Sequence, residues 1–193
     1  MHPEHLDFSC IETSSEPFDY FLASKVFCED KSFAVLEWVR SYKDWQLVRT
    51  DFYEQYEFSL STVQLPNHLD FLSNENTLSA FRNIFSEYFE AQLSARVDVA
   101  VHKLLPGQTI KLHNDYLSNG ETHRIVIQIN EAFNFDMGGL IMLFNSPDPS
   151  DVYKIIQPLH NSALGFIISQ NSNHAVSQIH KGERYSLVYS FFE

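Results

Sequence analysis

The sequence predicts a mainly β protein with flanking α elements: a closed sandwich or jelly roll of eight strands, buttressed by helices near the N-terminus. Three observations predict it. Hydrophobic spacing changes near residue 96, from helical steps to short apolar runs. Eight strand-like runs follow at regular intervals, with turn residues between them. No linker, repeat or low-complexity run divides the 193 residues, so 1–193 reads as a single domain, with 1–96 as a helical and strand support region and 97–193 as the core.

Helical spacing comes first. Phe33, Leu36, Val39 and Tyr42 recur at three-residue steps behind Asp30, a residue type suited to an N-cap, which predicts an amphipathic helix over 30–42. Trp45-Gln46-Leu47-Val48-Arg49 reads as a strand. A second helix is expected over 77–94, where Leu78, Phe81, Ile84, Phe85, Phe89 and Leu93 form one stripe, read as packing against a sheet rather than as a cofactor surface. The core strands are predicted at 97–104, 108–113, 123–130, 139–144, 152–157, 163–169, 174–179 and 184–192. Pro106-Gly107, Asn119-Gly120, Gly138-Gly139, Pro147-Asp148-Pro149 and His180-Lys181-Gly182-Glu183 supply the turns.

Composition narrows the function classes. At 44% hydrophobic and 20% charged, the chain has the makeup of an ordinary globular protein. A formal net charge of −12 argues against broad binding to nucleic acid or anionic membranes, because only 13 Lys and Arg are available to build a basic face. The start of the chain lacks the basic and apolar regions of a signal peptide, and no run approaches the roughly twenty apolar residues of a membrane span. A cytoplasmic protein is expected. Cys10 and Cys28 lie outside any metal-like spacing and read as free thiols.

The chemistry concentrates between residues 113 and 186. His113-Asn114-Asp115 ends the second predicted core strand, and His and Asp two apart on extended chain point to one face, where both can reach one ion. With a second His, two imidazoles and a carboxylate on one side of a metal are the ligand set of a non-haem Fe(II) oxygenase. A His-x-Asp triplet is cheap, since roughly half an instance arises by chance at this composition, and the chain holds three. His5-Leu6-Asp7 falls in a terminus expected to fray. His68-Leu69-Asp70 leads into a Leu/Phe run that reads as helix or turn. Only the third ends a strand-like run behind a Pro-Gly turn.

The partner His is chosen by its downstream neighbour. An iron of this kind usually works with a keto acid, whose far carboxylate takes a guanidinium fork. His174 has Arg184 ten residues on, whereas His160 has Gln170 and His180 has Ser190 at that offset. Arg184 and Ser186 share one face of the last strand, with Tyr185 and Leu187 on the other. Asn114, Tyr116, His123 and Arg124 flank the triplet as candidate substrate contacts, although such residues are more often loop or rim groups. His102, with Ala100 and Leu104 on its strand face, reads as a satisfied histidine rather than a ligand. Asp148 and Asp151 read as turn residues.

From about Val97 onward the chain resembles the Fe(II)/2-oxoglutarate-dependent dioxygenases, and among them the prolyl-hydroxylase-like members with a double-stranded β-helix core. The resemblance is carried by His113-x-Asp115 with His174, Arg184 beyond it, Leu105-Pro106-Gly107 ahead of the first His, and Ile129-Asn130 followed by Gly138-Gly139-Leu140. It implies iron held by His113, Asp115 and His174, the distal carboxylate of 2-oxoglutarate on Arg184, and Ser186 completing an Arg-x-Ser pair. Many prolyl-hydroxylase-like members carry Tyr two positions before the Asn of the third strand. This chain has Gln128 there, so a hydrogen bond to 2-oxoglutarate at that position would come from an amide. Leu105-Pro106-Gly107, with Ile110 and the His123-Arg124 pair, is also similar to the aspartyl β-hydroxylase-like branch.

The expected activity is hydroxylation of an unactivated C–H bond, on an amino-acid side chain that is free or within a peptide or protein. Fe(II), 2-oxoglutarate and O2 would be consumed or used, with release of succinate and CO2. The alternative is a non-catalytic cupin-like barrel that holds a metal or small acid without turnover; Arg184 and Ser186 beside the metal set favour the oxygenase, since a mere metal store has no use for a carboxylate fork. Substrate selection is expected from the segment before residue 97 and from the loops 116–122 and 145–151.

Overall fold

The computed structural model describes residues 3–8, 10–118 and 120–193. The elements in chain order are β1 (Ile11–Ser14), β2 (Tyr20–Ala23), α1 (Glu29–Ser41), β3 (Gln46–Arg49), β4 (Glu54–Ser59), α2 (Glu75–Phe89), β5 (Val97–Leu104), β6 (Ile110–His113), β7 (His123–Gln128), β8 (Ile141–Phe144), β9 (Val152–Ile156), β10 (Ala163–Ile167), β11 (His174–Val176) and β12 (Arg184–Phe191). A larger antiparallel sheet has the order β1-β2-β10-β7-β12-β5-β4-β3, and a smaller one the order β6-β11-β8-β9. All eight predicted core strands form, four in each sheet, which is the jelly-roll arrangement expected. Asn119, half of one predicted turn, lies outside the described residues. Among the described residues, no helix is long and apolar enough to cross a membrane.

Alternation along the central strands gives the larger sheet two buried faces. Val99, Val101, Ile125, Ile127, Leu187, Tyr189 and Phe191 point outward and pack with Phe81, Ile84 and Phe85 of α2 and with Val35, Leu36 and Val39 of α1. Each fully buried Phe in that layer contributes about 1.5–3 kcal/mol. Facing the smaller sheet, Tyr20, Leu164 and Phe166 meet Ile141 and Leu143 of β8. Arg184 and Ser186 stand on this inner face, while Tyr185 and Leu187 join the outer core, as expected from their alternation.

Several expectations for the support region are corrected. Helix α1 begins at Glu29 with Cys28 at the N-cap position and no side-chain cap, so Asp30 lies inside the first turn. Its buried face is Ser32, Val35, Leu36 and Val39, because three-residue steps drift around a helix of 3.6 residues per turn, and Phe33 is left 38% exposed. Helix α2 is capped by Asn74, whose Oδ1 accepts from Thr77 N at 2.9 Å. It ends at Phe89 rather than 94, since Glu90 turns left-handed at φ 56° and Ser94 N bonds to Phe192 O at 2.7 Å. The first His-x-Asp segment is pinned, with Leu6 buried and bridged to Phe27 and His5 Nε2 2.5 Å from Thr77 Oγ1. His68-Leu69-Asp70 lies in the 3-10 helix Asn67–Leu72, in line with its helix-or-turn reading. Strands β1, β2 and β4 extend the larger sheet beyond what periodicity predicted.

Candidate metal centre and active site

Antiparallel pairing of β6 with β11 puts His113 opposite His174, with ring centroids 4.2 Å apart. Asp115 follows β6 at φ 59°, so its carboxylate arrives by a left-handed turn and not along extended chain as expected. Its Oδ1 lies 3.3 Å from His113 Nε2 and its Oδ2 3.2 Å from His174 Nε2. One ligand atom from each residue falls within 4.8 Å of the others.

Hydrogen bonding fixes which nitrogens face inward. His113 Nδ1 is 2.8 Å from Lys111 O, and His174 Nδ1 is 2.7 Å from Ser172 O. A carbonyl only accepts, so each Nδ1 carries the proton and each Nε2 presents a lone pair. Two lone pairs converging on a carboxylate repel one another until a cation sits among them, which is the donor chemistry a divalent metal takes.

The carboxylate is held ionised by its surroundings. Burial opposes charge on Asp115, but the Arg124 guanidinium beside it holds its carboxyl well below the usual range. Arg124 Nη1 lies 2.5 Å from Asp115 Oδ2, and its Nη2 bonds to Glu121. Arg124, a candidate substrate contact from sequence, is thus brought onto a metal ligand. Asn114 organises the turn: its Nδ2 donates to Gln170 O at 3.1 Å and its Oδ1 accepts from Tyr116 N at 3.1 Å. Tyr116 is exposed on the rim.

A cavity of about 280 Å³ opens from the triad between the sheets. Arg184 and Ser186 line it, 3% and 2% exposed. Gly139 leaves room for the arginine stem, since a Cβ there would come within 3.0 Å of Arg184 Cδ. Burial pulls the Arg184 guanidinium down to about 10, so it stays charged at neutral pH. Among the described residues its Nε has no hydrogen-bond partner, and no carboxylate lies within 4.0 Å of the guanidinium. Gln128 is the register partner of Ser186, with both amide atoms unpartnered among the described residues, but it lines an adjoining cavity that shares Ile141 and Leu164 with the first. Tyr53, Gln55, Glu57 and His102 also wall the metal cavity. His102 is in contact with Gln55 at 3.3 Å, as a satisfied histidine should be, yet its place in the cavity wall was not foreseen.

Residues 99–192 match the family described as the 2OG-Fe(II) oxygenase superfamily. Over those residues the chain is a member of that superfamily. As one of its enzymes, this oxygenase uses Fe(II) and 2-oxoglutarate, and the His113, Asp115 and His174 triad is the metal-binding group its geometry offers. Solved structures share its fold. A Pseudomonas putida prolyl-4-hydroxylase superposes with a TM-score of 0.76 at 16% identity, over 90% of this chain and 92% of that one. A Trichoplax adhaerens prolyl hydroxylase, solved in complex with a peptide fragment of the hypoxia inducible factor oxygen degradation domain, gives 0.71 at 12% identity, over 90% and 83%. A viral collagen prolyl hydroxylase from Paramecium Bursaria Chlorella virus-1, in complex with 2OG, gives 0.65 at 12%, over 89% and 94%. No curated protein matches the chain by sequence.

Proposed function

We propose that this oxygenase hydroxylates an unactivated C–H bond of an amino-acid side chain, free or within a peptide, with Fe(II) on His113, Asp115 and His174 and the distal carboxylate of 2-oxoglutarate on Arg184 and Ser186. The observation that carries the reading is the buried, unpaired guanidinium of Arg184 in the wall of the triad's own cavity. An unpaired buried charge costs several kcal/mol, so the position is arranged for an anion. Ser186 can add a hydroxyl donor, and Gln128 an amide from the adjoining cavity. The chemistry that Fe(II) supplies to such a site is dioxygen activation coupled to decarboxylation of 2-oxoglutarate, one oxygen atom ending in succinate and the other in the hydroxylated substrate.

The chain's own residues bind, orient and exclude. The two Nδ1–H bonds to backbone carbonyls hold the imidazole lone pairs toward the metal side. Arg124 keeps Asp115 ionised and turned inward. Val126, Leu164, Phe166 and Val188 give the reacting carbon a dry wall. Outside the triad, Phe52, Tyr116, Leu117, Pro147 and Pro149 line a groove that shares His113 and Asp115 with the cavity, which suits an extended substrate crossing the opening. The peptide complex of the Trichoplax enzyme supports the same substrate class. Residues 1–193 would work as one domain, because β4 of the support region supplies cavity wall.

Succinate formed from 2-oxoglutarate in air with Fe(II) tests the reading. Turnover is expected in the wild type and absent in a folded His174→Ala variant, and a processed substrate should gain the mass of one oxygen atom. Equal succinate from both proteins would count against the assigned metal centre.

A further inference from the structure

Beside Ser186, the cavity wall carries polar groups that the metal and the co-substrate leave unused. Glu57 of β4 lies opposite His102 of β5, and His102 lies opposite Ser186 of β12, so the three side chains form one row across the cavity wall. Gln55, 2% exposed, is two residues from Glu57 and lines the same cavity. Its Nε2 donates to Glu57 Oε2 at 2.7 Å. A carboxylate can only accept, so that bond fixes the orientation of the amide and leaves Gln55 Oε1 as a buried acceptor with no donor among the described residues.

Glu57 also lacks a cation. Among the described residues, the basic group within 4.0 Å is His102, whose Nε2 is 3.8 Å away. Burial, with Arg124 and Arg184 in the same cavity, pushes that imidazole down to about 3, leaving it neutral. Lys103, the next residue of β5, turns to the opposite face, over the rings of Trp45 and Tyr56. An acceptor left buried without a donor is costly, and 2-oxoglutarate brings only acceptor oxygens, so it cannot satisfy these groups. A primary substrate carrying N–H groups can supply those donors. Tyr53 lines the cavity together with Glu57 and the metal ligands, and its hydroxyl is pushed up by burial and then by the carboxylates of Glu57 and Asp115.

We propose that Glu57 and Gln55 form a subsite for a cationic group of the primary substrate, an ammonium or guanidinium such as the head of a lysine or arginine side chain. This names the substrate class of the proposed hydroxylase and rests on that reading for where the reacting carbon lies. A formal net charge of −12 adds long-range attraction for such a substrate.

The test is calorimetric titration of protein loaded with Mn(II) and 2-oxoglutarate, with oxygen excluded. Nα-acetyl-lysine amide and Nα-acetyl-arginine amide are compared with their uncharged counterparts, Nα-acetyl-norleucine amide and Nα-acetyl-citrulline amide. In the wild type, a cationic probe is expected to bind roughly tenfold tighter than its counterpart, the scale of a charge-assisted hydrogen bond. The stronger of the two cations identifies the head group. Glu57→Gln should remove most of the preference, and Gln55→Leu, which keeps a similar shape, should reduce it. No preference in the wild type, no measurable binding of any probe, or a preference undiminished in Glu57→Gln overturns the subsite. Titrating 2-oxoglutarate alone into the Mn(II)-loaded wild type separates the two readings. If it fails to bind, the proposed function falls; if it binds and the probes show no preference, only the subsite falls.

Discussion

Asp115 holds a left-handed backbone conformation that costs a non-glycine residue roughly 1–2 kcal/mol, and the contacts of its carboxylate show what sustains it. Arg124 grips Oδ2 from β7 while Glu121 grips Arg124, so the metal-binding geometry is fixed from outside the triad. Arg124→Leu is therefore expected to weaken Mn(II) binding about 10- to 100-fold, the usual range for losing a group that orients a metal ligand. Paramagnetic resonance of free Mn(II) measures this, and unchanged affinity would mean that Asp115 needs no such support. The triad, Arg184 and Ser186 were legible in the sequence because their residue types and offsets form a pattern. The Arg124 to Asp115 pairing was not, since the loop between them obeys no periodic rule. Gln55 and Glu57 were hidden for a different reason: they turn polar groups inward to a cavity, and periodicity assigns polar groups to solvent.

At the scale of elements, the eight core strands were readable because turn residues bracket each of them. Strands β1 and β2 have four residues each, too few to show a period, and β4 alternates around polar inward positions. What β2 contributes to packing can be tested at its contact with β10. Gly165 of β10 faces Phe21 of β2, and a Cβ there would lie 2.1 Å from Phe21 Cε1. Gly165→Ala should destabilise the fold by about 1–3 kcal/mol through overpacking, read as a lower urea midpoint. A wild-type midpoint would show that the two strands can move apart freely. In the helical layer, Phe81 is fully buried and meets Tyr189 edge-on at 4.8 Å. Phe81→Ala should cost about 3–5 kcal/mol in the same assay, and a loss near zero would contradict the packing of α2 on the outer sheet face.

Across the whole molecule, buried histidines make the fold sensitive to acid. Burial pushes His123 from 6.5 down to about 4. Between those values the unfolded chain takes up a proton that the folded chain refuses, so stability falls as pH falls through that window and levels off below it. Urea midpoints from pH 7 to pH 4 should show the decline, and His123→Gln should flatten it; an identical slope would place the sensitivity elsewhere. Arg184 provides the most direct test of the site as a co-substrate pocket. 2-Oxoglutarate is titrated into Mn(II)-loaded wild type, Arg184→Lys and Arg184→Ala, with Mn(II) affinity measured in parallel. The lysine variant keeps the charge but loses the fork, so its 2-oxoglutarate affinity should fall about tenfold or more, and the alanine variant should bind almost none, with Mn(II) affinity unchanged in both. Equal 2-oxoglutarate affinity in all three proteins would contradict the placement of the co-substrate on Arg184.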